Sequence, residues 1–371
     1  MRVTQNMMVR NAIRWMLNQT EKLNDISTVV AAGKQVNKPS DDPDTAGQIL
    51  EDRTTLSKYA KYIANISEAD TWIETSNTTL ESIHSLLETA QEIIGSVDSQ
   101  DSDSADRYLE QLEGIYDQII DLANTKLNST YLYGGNNSLT CPFADEVRVS
   151  GGTASDVVFA LAGDVSDVTV EITNLADDVV RTLTLSSGGS QGPNNVAWDG
   201  LDDDGDLLAD GTYEFTVSAT DSDGKAVAAY AAYRGNEGGK ELLLGGKSAA
   251  VLNNDGSIFS DALSSLSQAI TVLKKSTYTD DLASELGESI EKAMKLITEE
   301  QVTLANVTSQ LEIFDERLGN LTLAVQSEIS ILEVGCTEEA AVKLEAQTTA
   351  REVTLEAVAN ILKMSKLSDY V

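Results

Sequence analysis

Two long stretches of the chain repeat apolar residues every seven positions. The first runs from Tyr59 to Ile94, and the second runs from Ile290 to Leu332 in the other half of the chain. A seven-residue repeat places these side chains on one stripe of an α-helix, which is typical of a coiled coil. The two repeats are of similar length, so they predict two long helices that pack together lengthwise.

A shorter helix is predicted near residues 5 to 32, where an apolar face is interrupted by Thr20. Gly33 is suited to end this helix, because glycine tolerates the left-handed conformation common just after a helix. Asp42 followed by Pro43 predicts the start of the next helix, with aspartate as its cap. Because its apolar face is interrupted, the first helix is expected to be marginal alone.

The C-terminal segment carries apolar residues on two sides of one predicted helix, along stripes that begin at Val342 and Leu344. Each of the two apolar sides of such a helix must pack against another element. We expect the N-terminal helix to cover one side and a neighbouring subunit to cover the other, so that the protein assembles with itself through its paired termini. The predicted assembly interface consists of Val9, Ile13, Met16, Leu23, Val30, Val353, Ala357, Ile361 and Met364.

Helical periodicity disappears in the middle of the chain. Alternating segments such as Val168 to Ile172 and Tyr213 to Val217 are separated by glycine and aspartate turns, which predicts a small β-sandwich. A polar run from Asp98 to Asp103 predicts a turn between two helices before it. The predicted fold is therefore mainly α-helical with a β insert, its helical core being built from both ends of the chain.

Four regions follow from this pattern. Residues 1–40 and 340–371 would form a terminal helical assembly domain, and residues 41–144 and 257–339 a long-helix coiled-coil domain. Residues 145–228 would form the inserted β-sandwich, and residues 229–256 a short β-rich return to the helices.

Composition narrows the possible functions. The 371 residues carry a formal charge of −34, and such a field repels nucleic acid and anionic membrane surfaces. No apolar stretch approaches the roughly 20 residues needed to span a bilayer, and the first thirty residues contain no cleavable signal peptide. By these signals alone the protein would be cytoplasmic.

The reactive residues are few. Cys141 and Cys336 are predicted to be free thiols, since two cysteines define neither a disulfide framework nor a zinc site. A single histidine, His84, cannot build a histidine-rich metal site or a Ser-His catalytic pair, and its place on the first repeat favours a structural role. Trp72 flanks the same repeat and is interpreted as a packing anchor.

Two motifs suggest ligands but do not fit them. The aspartate run from Asp202 to Asp206 contains a glycine, Gly205, as calcium loops do, but this register places glycines where the first and last ligands belong. A solvated turn is the better interpretation. The segment from Gly245 to Ser248 ends like a phosphate-binding loop, yet Glu241 occupies the position of its first glycine. No catalytic residue, metal or cofactor is predicted, and the chain is not expected to be an enzyme.

Several segments resemble a known family. The opening residues 1–8, the segment Asn37, Lys38, Pro39, Ser40, Asp41, Asp42, Pro43, the segment 131–135 with Gly134 and Gly135, and the ending 364–370 are similar to those of hook-associated protein 3 of the bacterial flagellum. Within the insert, the segments 196–200, 203–205, 210–213 and 221–224 resemble the Ig-like domain of the flagellar hook-capping protein.

This resemblance implies a flagellin-like helical core with an Ig-like insert. It implies a structural adaptor at the hook-filament junction, with hook-associated protein 1, flagellin, other copies of itself and an export chaperone as partners. It also implies export through the flagellar type III channel without a cleaved signal, to an extracellular location, in place of the cytoplasmic expectation. Flagellin itself shares this architecture and remains an alternative, as does a surface binding module that acts through the insert.

Overall fold

The computed structural model describes most of the chain in two compact units. The first unit comprises Met1–Ile63 and Asp315–Val371, and the second comprises Ala64–Phe314. The described residues are 5–34, 36, 38–40, 42–97, 102–185, 188–236, 238–239, 241–245, 248–252, 255–275, 279–334 and 337–367.

The helices follow the predicted pattern closely. Helix α1 spans Gln5–Ala32, α2 spans Pro43–Ser96 and α3 spans Ser102–Ala123, and later in the chain α4 spans Ser260–Lys274, α5 spans Asp280–Val334 and α6 spans Thr337–Leu367. Gly33 has a φ of 63°, the left-handed conformation predicted after α1. Asp42 caps α2 as predicted, because its carboxylate accepts a hydrogen bond from the Thr45 amide at 3.2 Å.

The seven-residue repeats of α2 and α5 form the core of the helical region. Gln91 donates a hydrogen bond to the Gly287 carbonyl at 3.4 Å, and Ile73 and Leu304 line one cleft, so late residues of α2 meet early residues of α5. The two helices therefore run antiparallel in the second unit. Buried repeat positions include Ile66, Ile73, Leu80, Leu87 and Ile94 in α2 and Ile290, Ile297, Leu304 and Leu311 in α5.

The central region is a β-sandwich. A six-stranded sheet contains β3 (Glu146–Ser150), β4 (Thr153–Ala154), β6 (Asp167–Thr173), β7 (Val179–Leu185), β9 (Gly211–Thr220) and β10 (Ala226–Val227). Its main path is β4-β3-β9-β6-β7, and β10 also pairs with β9. A three-stranded sheet contains β5 (Val157–Leu161), β8 (Gly192–Val196) and β11 (Ala229–Ala231), in the order β11-β5-β8.

The sandwich has a hydrophobic core of its own. Alternate residues of β6 point inward, because side chains alternate between the two faces of a strand. Trp198 packs edge-on against Tyr213 with ring centroids 5.7 Å apart. The buried set also includes Val147, Val149, Val157, Phe159, Leu161, Val168, Val170 and Ile172.

The chain enters and leaves the sandwich through one neck, formed by residues 142–144 and 231–234. Phe143 pairs with Tyr233 across it, and the Arg234 amide donates to the Pro142 carbonyl at 2.8 Å. The sandwich is also fixed to the helices beneath it. Ser267 of α4 donates to the Ala229 carbonyl at 2.6 Å.

Two short hairpins lie outside the sandwich. The first pairs β1 (Lys126–Leu127) with β2 (Thr130–Tyr131), and the second pairs β12 (Glu241–Gly245) with β13 (Ser248–Val251), in the segment expected to be a β-rich return. Two details differ from the sequence analysis. The predicted turn from Asp98 to Asp103 is helical from Ser102 onward, and β11 joins the sandwich although it follows the expected limit at 228.

Candidate assembly surface

The terminal helices α1 and α6 contact each other within the first unit. The positions of α1 that are half-buried recur three or four residues apart and include Met16, Leu23 and Ile26. In α6 the equivalent positions include Leu344, Thr354 and Val358. This spacing is that of a coiled-coil contact, in which each helix turns one stripe toward its partner.

The contact between α1 and α6 contains polar residues as well as apolar ones. Gln347 of α6 donates a side-chain hydrogen bond to Gln19 of α1. Thr354 is 8% exposed, and its hydroxyl donates to the Ala350 carbonyl one turn earlier at 2.6 Å. A paired polar residue in such a contact fixes the register of two helices at a cost in stability.

A second face of α6 is apolar and exposed. On a helical wheel with 100° per residue it lies apart from the stripe that touches α1. Val342 is 67% exposed and Val353 is 61% exposed. The alanines on this face, Ala346, Ala350 and Ala357, are exposed too. A row of small and branched apolar side chains allows a second helix to approach closely.

The predicted interface residues differ in how exposed they are in the structure. Met16 and Leu23 are half-buried on the α1 stripe that contacts α6. Ile13, Val30, Val353 and Ala357 are exposed. Val9, Ile361 and Met364 lie on helices, but their side chains are not among those that the structure describes. The same holds for the side chains of α6 after residue 360. The role of the whole set in assembly remains a prediction.

The segment from Asn37 to Pro43 connects α1 to α2. Pro39 and Ser40 are exposed, Asp42 is half-buried as the cap of α2, and Pro43 begins that helix. The cap hydrogen bonds from Thr45 lower the pKa of the Asp42 carboxyl. Asn37 and Asp41 lie outside the described residues.

Gly134 and Gly135 follow the first hairpin and are both buried. Gly135 has a φ of 63°, and a side chain there would overlap the carbonyl oxygen of Asn236. Gly134 pairs with Asp255, and Tyr133 packs edge-on against Phe259 with ring centroids 4.8 Å apart. These glycines therefore let the hairpin and the returning chain come close to the helices.

An ion triad that sequence analysis did not predict links three segments of the first unit. These are the residues after α1, the early part of α2 and the end of α5. Glu333, near the end of α5, is 2.6 Å from the Lys34 ammonium and 2.5 Å from the Arg53 guanidinium. Its side chain is only 12% exposed. The hydrogen bond from Lys34 and then that from Arg53 lower the pKa of the Glu333 carboxyl below its ordinary value. No sequence pattern marks three charges so far apart in the chain.

The other residues considered for chemistry have structural surroundings. His84 is half-exposed on α2, 3.6 Å from the Glu88 carboxylate, and Trp72 is 2% exposed in the helical core. The Cys141 thiol contacts the Phe143 carbonyl at 3.2 Å. Cys336 and the middle of the 245–248 segment lie outside the described residues.

Across the described part of the chain, no group of three or more His, Cys, Asp or Glu side chains is arranged to hold a metal ion. Within the same residues, no helix has the length and hydropathy of a membrane span. The terminal helices, with the exposed apolar face of α6, form the candidate assembly surface.

Two protein-family models match this chain. Residues 3–138 match the bacterial flagellin N-terminal helical region. Residues 144–223 match the Ig-like domain of FlgD. The two matches adjoin near the start of the neck, and they confirm the predicted fold class, a flagellin-like helical core with an Ig-like insert.

Curated relatives share sequence with part of the chain. Flagellar hook-associated protein 3 of Salmonella typhimurium is 26% identical over 200 residues, which cover 53% of this chain and 58% of that protein. The Escherichia coli protein of the same name is 26% identical over 159 residues, or 42% of this chain and 50% of that protein. The chain thus spans about half the length of the curated relatives it matches.

Among solved structures, a flagellar hook-associated protein from Vibrio parahaemolyticus shares the fold, with a TM-score of 0.51 and 14% identity. The match covers 79% of this chain and 99% of that protein. This structure shows the same fold, and the curated relatives confirm the resemblance to hook-associated protein 3. The relatives are named as parts of the flagellum and not as enzymes, which supports the non-enzymatic prediction.

Proposed function

We propose that this chain is a structural adaptor at the hook-filament junction of the bacterial flagellum, connecting hook-associated protein 1 to flagellin. The observation that carries the proposal is the exposed apolar face of α6. This helix packs one stripe against α1 and leaves a second apolar stripe uncovered. A partner helix that covers this face would remove apolar area from water, which is the dominant driving force of protein association.

In this proposal the terminal helices contact other copies of the chain and the neighbouring axial proteins. The chain is exported unfolded, without a cleaved signal peptide, and is held by an export chaperone before it leaves the cell. Its destination is the extracellular part of the flagellum. The polar contact between α1 and α6 supports this route, because marginal terminal helices unfold readily and fold again when neighbours cover them.

The test is a single substitution on the exposed face of α6. Val353→Glu is expected to abolish attachment of filaments to hooks in cells that carry only the variant, because it places a charge in the proposed interface. The matched control is Ala359→Glu, an exposed position in the same helical row as the exposed Glu345 and Glu352. Normal attachment with Val353→Glu would contradict the proposal, provided the variant is exported in normal amounts.

Flagellin is the second candidate, and the match of residues 3–138 to the flagellin helical region favours it. Immunogold labelling of intact flagella with antibody against the insert separates the two. Gold confined to the hook-filament boundary supports a junction protein, whereas gold along the whole filament identifies a filament subunit.

A binding role for the insert is a third candidate, favoured by its own hydrophobic core and its single neck. Here the insert would contact a surface or another flagellar component. A chain in which a short linker replaces residues 146–231 tests this idea. Unchanged motility and unchanged surface adhesion would argue against a binding role.

A further inference from the structure

Strand β7 lies at one end of the six-stranded sheet and, among the described residues, pairs with no strand other than β6. The open side of such an edge strand offers backbone donors and acceptors to a strand of another molecule. The sequence of β7, Val179–Leu185, is rich in valine, threonine and leucine and contains one charge. Sequences of this kind pair readily with other strands.

A turn formed by residues 202–206, here called the aspartate turn, lies against this edge. The Asp203 amide donates to the Val180 carbonyl at 3.1 Å. The Asp203 carboxylate accepts a hydrogen bond from the Thr182 amide, also at 3.1 Å. One residue therefore occupies two backbone groups in the middle of β7, as a neighbouring strand would do.

A charged side chain of the strand holds the turn in place. Arg181 donates to the Asp202 carbonyl at 2.6 Å and lies 3.6 Å from the Asp199 carboxylate and 3.9 Å from that of Asp203. A guanidinium group keeps its charge under all physiological conditions and offers several donors in a fixed plane. Arg181 is thus suited to hold the backbone and the carboxylates of the turn against β7.

The turn is also rigid by itself. The Asp202 carboxylate accepts hydrogen bonds from the Asp204 amide at 3.1 Å and the Asp206 amide at 2.8 Å. Leu201 and Leu207 pair across the base of the turn. The internal hydrogen bonds use Asp202, while Asp203 remains directed at the strand.

Three residues of the turn, Asp203 included, expose carboxylate surface beside the edge. Asp203, Asp204 and Asp206 are exposed. If the same edge of a second copy approached, it would bring an identical set of negative charges, and like charges across paired strands are destabilising. The occupied backbone groups of β7 and the like charges of the turn therefore both oppose pairing of two copies through this edge.

We propose that the aspartate turn is an edge guard, which prevents β7 from pairing with the same edge of a second copy of this chain. This role accounts for the aspartate run without any bound cation. It does not depend on the flagellar function proposed above, because it concerns any setting in which many copies stand close together.

The test compares two variants of the full-length chain. Asp203→Ala removes the carboxylate that binds Thr182, and Asp204→Ala removes a carboxylate of the same turn that makes no hydrogen bond or ion pair with β7 among the described residues. Sedimentation velocity over a range of concentrations measures self-association. We expect Asp203→Ala to associate about tenfold more tightly than the unsubstituted chain, a change of roughly 1.4 kcal/mol. Asp204→Ala loses a charge but no hydrogen bond to β7, and we expect it to increase association less than Asp203→Ala does.

Amide hydrogen exchange shows whether the Thr182 amide has lost its hydrogen bond to the turn. In dilute Asp203→Ala the Thr182 amide should exchange faster, and at high concentration it should be protected again by the second copy. A chain that stays monomeric at high concentration while Thr182 exchanges fast would overturn the proposal. Equal association of Asp204→Ala and Asp203→Ala would overturn it too, because net charge alone would then explain the effect.

A second variant keeps the proposal testable if Asp203→Ala does not fold. Arg181→Met releases the Asp202 carbonyl but keeps every carboxylate of the turn, so association of this variant cannot come from lost negative charge. Protection from exchange of the β6 amides, at the centre of the six-stranded sheet, reports whether the sandwich is folded in each variant. If Asp203→Ala is not folded, Arg181→Met replaces it in the test. A folded Arg181→Met chain that does not associate, although its Thr182 amide exchanges fast, would contradict the proposed edge guard.

Discussion

The Tyr133 hydroxyl donates a hydrogen bond to the Ser76 carbonyl at 3.0 Å, inside the helical core. The first hairpin is thereby fixed to the middle of α2. Tyr133 has no exposed surface, and burial raises the pKa of its phenol. The phenol is therefore neutral over the whole physiological range and acts as a hydrogen-bond donor.

Removal of this hydroxyl should destabilise the second unit. Tyr133→Phe is expected to lower the free energy of unfolding by about 1 kcal/mol, which is typical of one lost hydrogen bond. Urea denaturation followed by circular dichroism measures the change. Tyr108→Phe, at a half-exposed position of α3, is the control. A loss no larger than that of the control would show that the hydroxyl contributes nothing.

Two glycines with the same backbone angle should respond differently to alanine. Gly33 and Gly135 both have a φ of 63°, so each substitution strains the backbone. Only at Gly135 would the new side chain overlap another atom, the carbonyl oxygen of Asn236. Gly33→Ala is expected to cost about 1 kcal/mol, and Gly135→Ala more than about 3 kcal/mol. Equal losses in thermal unfolding would rule out the close approach at Gly135.

The ion triad at Glu333 should make the first unit sensitive to acid. A carboxyl whose pKa is lowered in the folded state stabilises that state at neutral pH, and this contribution disappears as the pH falls through the folded pKa. Because Lys34 and Arg53 lower the pKa of Glu333, whose ordinary value is 4.5, the loss begins below about that pH.

Glu333→Gln should therefore reduce stability at pH 7 by about 0.5–1 kcal/mol, since both cations are largely exposed and screened by solvent. The difference from the unsubstituted chain should shrink as the pH approaches 3. Glu339→Gln is the comparison for an exposed pair: the hydrogen bond from Lys343 also lowers the pKa of Glu339, so this variant should show the same pH dependence with a smaller loss. A difference that is independent of pH would exclude the charge of Glu333 as its cause.

The hydrogen bond between Gln19 and Gln347 should limit the stability of the terminal helices. Replacement of both by leucine is expected to stabilise the contact between α1 and α6 by about 1 kcal/mol, because an apolar pair replaces a desolvated polar one. Either substitution alone leaves one amide without its partner and should be destabilising. Hydrogen exchange in α1 and α6 of the three variants measures the effect. A double variant no more stable than either single one would show that the pair does not act as a unit.

The helices could be predicted because the information for each lies within its own segment. The repeats from Tyr59 and from Ile290 recur every seven residues, and burial in α2 and α5 follows this spacing. The strands of the sandwich were recognisable for a similar reason, since inward and outward residues alternate along a strand such as β6.

Contacts between distant segments could not be predicted. Gln19 and Gln347 are polar residues within otherwise apolar stripes, and only the paired structure shows that they meet. Glu333, Lys34 and Arg53 have the sequence surroundings of ordinary surface charges. Similarly, the sequence of the aspartate run predicts a solvated turn, because nothing in it indicates that Asp203 lies against β7.

The single neck of the sandwich makes it an exchangeable cassette. Since Pro142 and Arg234 are joined by a hydrogen bond, the helical host needs only a short loop between them to close without the insert. One recombination event at this point could supply or remove the whole insert without altering the residues of α1 and α6. The insert can therefore diversify under selection by its surroundings while the terminal helices stay unchanged.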